Sequence, residues 1–118
     1  MKPRDRASLQ DVLAAADHIT IIVEEIRTKA AFIGDWRAQD IIVRELEIVG
    51  EAIKRLSPEF RAAHPAIPWK GYTGIRDVLA HRYDSIDLPL VWRTATEEIP
   101  EIRRHVAALL PEENGEAQ

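Results

Sequence analysis

Apolar residues recur at every third or fourth position along most of the chain, and that period is helical. From Leu9 the stripe runs through Val12, Leu13, Ala16, Ile19, Val23 and Ile26, predicting an amphipathic first helix. Ser8 stands where an N-cap belongs, with Asp11 three residues on in place of the usual capping-box glutamate. From Lys29 to Arg37 the period fades into a connector with room for one helical turn, and Gly34-Asp35 is its strongest break. A second long helix is predicted from about Ala38 to Leu56. Its apolar set, Ile41, Ile42, Val43, Leu46, Ile48, Val49, Ala52, Ile53 and Leu56, is wider than one face needs. The helix is therefore central, or its spare face buries against a partner. Gly50 costs roughly 1 kcal/mol relative to alanine in a helix interior. It marks either a close helix–helix approach or simple tolerance.

Ser57-Pro58 pairs a capping serine with proline at the first helical position and starts a short helix reaching about His64. Pro65-Ala66-Ile67-Pro68 is too rich in proline for anything but a turn or loop. Trp69 to Gly74 leads into a helix carrying R-D-V-L-A-H-R-Y, Arg76 to Tyr83. Asp84-Ser85-Ile86-Asp87 ends it, and Asp87 can cap a last helix from Leu88 to about Leu110. Pro100 inside that helix predicts a kink or restart near Glu98–Ile99. The sum is an all-α, up-and-down bundle of four to five helices, a single domain over 1–110 followed by a polar tail over 111–118.

A length of 118 residues supports one core, and 46% hydrophobic with 31% charged residues fits a globular domain. No apolar run approaches the ~18 residues of a membrane span, and M-K-P-R-D-R leads into no signal-peptide core. A cytoplasmic protein without membrane contact is expected. The absence of cysteine excludes disulfides and thiolate metal sites. His18, His64 and His105 are scattered without a second ligand at metal spacing, so neither metal nor cofactor is expected. The net charge of −4 argues against non-specific coating of nucleic acid. Between positions 69 and 83, however, Lys70, Arg76 and Arg82 face only Asp77, which leaves scope for a local basic cleft. Trp36, Trp69 and Trp92 are candidate stacking platforms, although Trp69 and Trp92 read better as packing residues near helix ends. Tyr72 lines the cleft or packs. Glu24-Glu25 and Glu97-Glu98 read as solvated helix faces.

The octapeptide concentrates the chain's reactive groups. At about 100° per residue, Ile75, Val78 and Leu79 with the Arg82 stem make the buried stripe. Arg76 and Tyr83 share one exposed flank, Asp77 and His81 the other, with Ala80 as a small floor between. Arg76 and His81 are about 140° and about 7.5 Å apart on the helix, so they are not immediate neighbours. They converge on something in front of Ala80, or two copies of the helix pool their residues across a two-fold axis. The second arrangement explains the spacing better. A phosphodiester suits this set: guanidinium forks phosphate oxygens, imidazole transfers protons near neutrality, and Asp77 is spaced to orient it. RNA brings its own 2′-hydroxyl nucleophile, so no metal is required. The spacing alone is weak evidence, and salt bridging or compensation of the helix C-terminal dipole is its default reading.

Gln39-Asp40, L-E-I-V-G-E-A-I-K-R-L-S (Leu46–Ser57), H-P-A-I-P-W (His64–Trp69), G-I-R-D-V-L-A-H-R-Y (Gly74–Tyr83) and D-L-P-L-V-W (Asp87–Trp92) together closely resemble the HepT-like HEPN family. The resemblance implies an all-α homodimer whose R-x-x-x-x-H residues form a metal-independent endoribonuclease site at the dimer cleft. Arg76 and His81 would be the catalytic pair, with Asp77 in support and tRNA or mRNA as substrate. It also implies a toxin paired with a minimal nucleotidyltransferase antitoxin, which transfers AMP from ATP to the tyrosine matching Tyr83 and silences the toxin. The alternative is a non-catalytic helical module that docks the nucleotidyltransferase and helps bind its substrate.

Overall fold

Proline at the first turn of a helix has a pre-set φ and no N–H to leave unpaired. Pro3 uses this to start α1 (Pro3–Ile26), six residues before the apolar stripe begins. The computed structural model describes residues 1–81 and 85–110. Tyr83, the Arg82 stem and the tail 111–118 lie outside the described residues. Ser8 is therefore not an N-cap but a buried residue inside α1, and Asp11 pairs instead with Arg55 at 3.1 Å. The connector holds one short helix, α2 (Lys29–Ile33), capped by the Thr28 hydroxyl. The Asp35 carboxylate accepts from the Ala38 N–H and opens α3 (Trp36–Lys54). Ser57 caps α4 (Pro58–Ala63) by accepting from the Phe60 N–H. The octapeptide lies on α5 (Thr73–His81).

Asp87 caps α6 (Leu88–Arg93) as its position suggested. Pro100 produces a π turn over Thr94–Glu98 before α7 (Ile99–Leu109) rather than a simple kink. The Ile99 N–H reaches back five residues to the Thr94 carbonyl. One extra residue in the turn accommodates the ring and the missing N–H of proline.

α3 is the central element, packing on α1, α2, α5 and α6. Its spare hydrophobic width is thus mostly used inside the chain, although Ile41 stays exposed. α1 runs antiparallel to α3: Asp5 meets Ser57, Asp11 meets Arg55 and His18 meets Glu45. Leu9, Val12, Ile19, Phe32, Ile42, Leu46, Val49, Ile99, Ile102 and Val106 form one continuous core. A Cβ on Gly50 would lie 2.6 Å from Leu79 Cδ1 and 3.3 Å from Ile75 Cγ2. Gly50 therefore marks a close approach, and it seats α5 against α3. Among the described residues no helix is long and apolar enough to cross a membrane.

One buried polar tie joins the chain's start to its middle. The Asp5 carboxylate accepts from the Ser57 N–H and Oγ, both at 2.8 Å. Burial alone would raise the Asp5 carboxyl; the Ser57 hydrogen bonds, with Arg4 and Lys2 nearby, outweigh it and hold the carboxyl below its ordinary value. Asp5→Ala leaves two buried donors unpaired and is expected to cost about 1–3 kcal/mol in denaturant unfolding. Because the folded-state value is depressed, this stabilisation is full above the ordinary carboxylate pKa of about 3.9 and fades as pH falls through the folded value. Asp5→Asn should show a flatter loss of stability below about pH 4 than the parent.

Candidate active site

The N-terminus of α5 is held by a residue from the π turn. Glu98 Oε2 accepts from the Gly74 N–H and Oε1 from the Ile75 N–H, each at 3.2 Å. A carboxylate there satisfies two orphan donors and complements the positive end of the helix. Local pattern marks Glu97-Glu98 as a solvated face. Glu97 is exposed, but Glu98 is half-buried and works as a cap from another helix. Gly74 makes room for it: a Cβ there would lie 2.6 Å from Thr94 Oγ1 and 3.0 Å from Glu98 Oε2. Thr94 is itself fixed by donating to the Leu90 carbonyl at 2.8 Å.

From that anchor α5 buries Ile75 and Val78 and half-buries Leu79, leaving Arg76, Asp77, Ala80 and His81 exposed. Arg76 and Asp77 open onto different sides. Asp77 lines a recess with Gly74, Arg93, Thr94, Glu97, Glu98 and Glu101. Arg76 donates to the Lys70 carbonyl at 3.2 Å and edges a cleft of about 570 Å³ between α3, α4 and α5. His81, on the last turn of α5, lines neither of these. Among the described residues neither of these two cavities is lined by both Arg76 and His81, and no hydrogen bond joins Asp77 to His81.

Tyr72 both lines the cleft and packs, being 5% exposed. Its hydroxyl has no hydrogen-bond partner among the described residues. Burial first, then the charges of Glu101 and Glu98, push the phenol up to about 12. It stays neutral at physiological pH and is a poor proton donor there. Trp92 packs on Phe32 with ring centroids 5.2 Å apart, so it is a core residue. Trp69 is half-buried, with its indole N–H on the His64 carbonyl at 3.2 Å and Phe60 6.1 Å away. Trp36 is exposed under the Arg37 guanidinium. His18 and His105 each face a carboxylate, Glu45 and Glu101. Among the described residues no three histidine or carboxylate side chains gather as a metal site would.

The described residues form an all-α domain with an exposed arginine and histidine five apart on a short, anchored helix beside a basic cleft. Residues 12–109 match the family described as Ribonuclease HepT-like, and the chain belongs to that family. It is similar to a "Putative RNase" of Methanocaldococcus jannaschii, 35% identical over 107 residues, covering 90% of this chain and 97% of that protein. It is also similar to the "Probable ribonuclease HepT" of Thermococcus cleftensis, 35% identical over 103 residues and covering 87% and 93% respectively. A "Putative RNase" of Caldanaerobacter subterraneus is 42% identical over 82 residues, covering 70% of this chain and 73% of that protein. No solved structure gives a significant match.

Proposed function

We propose that this chain is a metal-independent endoribonuclease that works as a homodimer, with His81 as general acid/base, Arg76 as the phosphate clamp and Asp77 in support. The carrying observation is the pair of exposed groups on α5, Arg76 on the cleft side and His81 outside the cleft, in a HepT-like chain. The family's members named as ribonucleases supply the substrate class. In the step itself, the RNA 2′-oxygen attacks phosphorus and the P–O5′ bond breaks. The proton leaves the 2′-hydroxyl to a base, and another reaches O5′ from an acid. Arg76 neutralises charge building on the phosphoryl oxygens. A second protomer would bring its His81 to the first protomer's Arg76, which the separation within one chain supports.

In its biological setting the chain reads as the toxin of a toxin–antitoxin pair acting on tRNA or mRNA in the cytoplasm. A minimal nucleotidyltransferase would silence it by transferring AMP to Tyr83. That assignment rests on the sequence position of Tyr83, two residues beyond His81, where a bulky anionic adduct would compete with substrate. Purified chain incubated with RNA in EDTA is expected to yield fragments ending in 2′,3′-cyclic phosphate. Co-expression with the nucleotidyltransferase should add AMP mass that Tyr83→Phe abolishes. Intact RNA in EDTA with cleavage restored by added metal would refute the metal-free reaction.

A further inference from the structure

The cleft beside Arg76 holds more positive charge than the proposed chemistry uses. Lys54 from α3, Arg61 from α4, Lys70 from the connecting loop and Arg76 from α5 all line it, against the single carboxylate of Glu51. This excess sits on a chain whose net charge is −4. Three exposed cations elsewhere are occupied: Arg55 by Asp11, Arg103 by Asp17, Lys2 by Glu59. Among the described residues none of the four cleft cations pairs with a carboxylate. The cleft does not stop at Lys70. A second one, of about 450 Å³, is lined by Pro58, Arg61, Ala62, Pro65, Ile67, Trp69 and Lys70. Arg61, Trp69 and Lys70 are common to both, so the two clefts adjoin and together line a track from Ala80 and Arg76 to the Pro65 loop.

Four cations without a carboxylate partner among the described residues, along a track edged by one half-buried indole, are what a single-stranded polynucleotide needs. The cations follow the phosphates, and an aromatic face takes a base of any identity. An acidic peptide would use the charges but has no call on the indole. We propose that this track is the binding path for the RNA strand flanking the scissile phosphate, with Lys54, Arg61 and Lys70 holding its phosphates and Trp69 stacking one base. These are positioning residues, separate from Arg76 and His81. The proposal rests on the ribonuclease reading for its ligand class, and it extends that site by several nucleotides to one side.

The test measures binding without cleavage. A fluorescein-labelled 2′-O-methyl oligonucleotide, which lacks the nucleophile, is titrated with the full-length His81→Ala protein. Adding Lys54→Ala, Arg61→Ala and Lys70→Ala together is expected to raise Kd at least tenfold. It should also flatten the dependence of log Kd on log salt by about 2, at roughly 0.7 per lost phosphate contact on a single strand. A matched set remote from the track, Lys29→Ala, Arg37→Ala and Arg103→Ala, removes the same charge and should leave Kd within twofold. Quenching of tryptophan fluorescence by the oligonucleotide should disappear in Trp69→Leu and persist in Trp36→Leu. If the triple variant misfolds by circular dichroism, Lys54→Ala and Lys70→Ala, both exposed, are read singly, each expected to weaken binding severalfold. Equal losses from the track and remote sets would overturn the path, as would poly-glutamate competing as well as RNA. If the parent cleaves no RNA while the track variants still lose binding, the ribonuclease reading fails and the path survives.

Discussion

Replacing His81 by alanine is expected to lower the single-turnover cleavage rate by about 10²–10⁴-fold, the usual worth of a positioned proton-transfer group. Arg76→Ala should lose about 10²–10³-fold, as removal of a charge-stabilising donor does. Arg76→Lys should recover only part of that, because an ammonium keeps the charge but not the bidentate fork. Both side chains are exposed, so unfolding free energies should stay within about 0.5 kcal/mol of the parent. The loss is then one of chemistry and not of folding. The arrangement on α5 makes a sharper demand. Arg76 opens onto a cleft that His81 does not line, and the proposed shared site draws the two residues from two copies of α5. Mixing the two inactive proteins under conditions that exchange protomers should restore measurable cleavage, because a mixed dimer carries one intact Arg76–His81 combination. A folded His81→Ala protein as active as the parent would refute the assignment. A mixture that stays dead while heterodimers form would refute the shared site.

The elements that could be read from sequence are those whose causes are local. The stripes of α1 and α3, the Ser57-Pro58 start, the Asp87 cap and the break forced by Pro100 depend on residues within a few positions of one another. The same is true of the buried stripe of α5. What escaped reading depends on partners far along the chain. Ser8 looks like a cap because the residues before it carry no apolar stripe. They form a helix because Pro3 starts it and because Asp5 finds Ser57 52 positions away. The role of Gly50 was ambiguous because only the packed structure brings Leu79 to it. In the candidate site, the spacing on α5 separates Arg76 from Asp77, and the two open onto different sides. The basic track was not legible in the sequence, because Lys54, Arg61 and Lys70 come from three elements and carry no shared periodicity. Asp77, spaced to orient His81, instead turns to the recess containing Glu98.

Loss of the Glu98 cap should loosen α5 directly. Glu98→Ala strips the acceptor from two N–H groups in the first turn of α5. By analogy with N-cap removal, it should cost about 0.5–2 kcal/mol. Glu98→Gln keeps one acceptor oxygen but sets its amide NH2 against the other N–H, so it gives up one of the two hydrogen bonds and the charge at the helix terminus, a smaller loss than full truncation. Gly74→Ala attacks the same joint from the other side. Its new methyl would sit 2.6 Å from Thr94 Oγ1, and Thr94 cannot retreat without releasing the Leu90 carbonyl and disturbing the π turn. A cost of about 1–3 kcal/mol is expected from overpacking of this kind. Because α5 is only Thr73–His81, too short to be helical alone, the damage should be local. Amide exchange should accelerate through 74–81 while the α1 and α3 amides keep their protection. Cleavage should fall with α5 order, more in Glu98→Ala than in Glu98→Gln, although Glu98 lines a different recess from Arg76. Uniform loss of protection across the bundle would mean that Glu98 stabilises the whole fold. Unchanged exchange at 74–81 would mean that the cap does not hold the helix. The π turn explains why this cap is available at all. It puts one more residue into the turn between Thr94 and Ile99 than an α-helix would, and Glu98 emerges from it against Gly74 rather than on the solvated face that a regular period assigns to it.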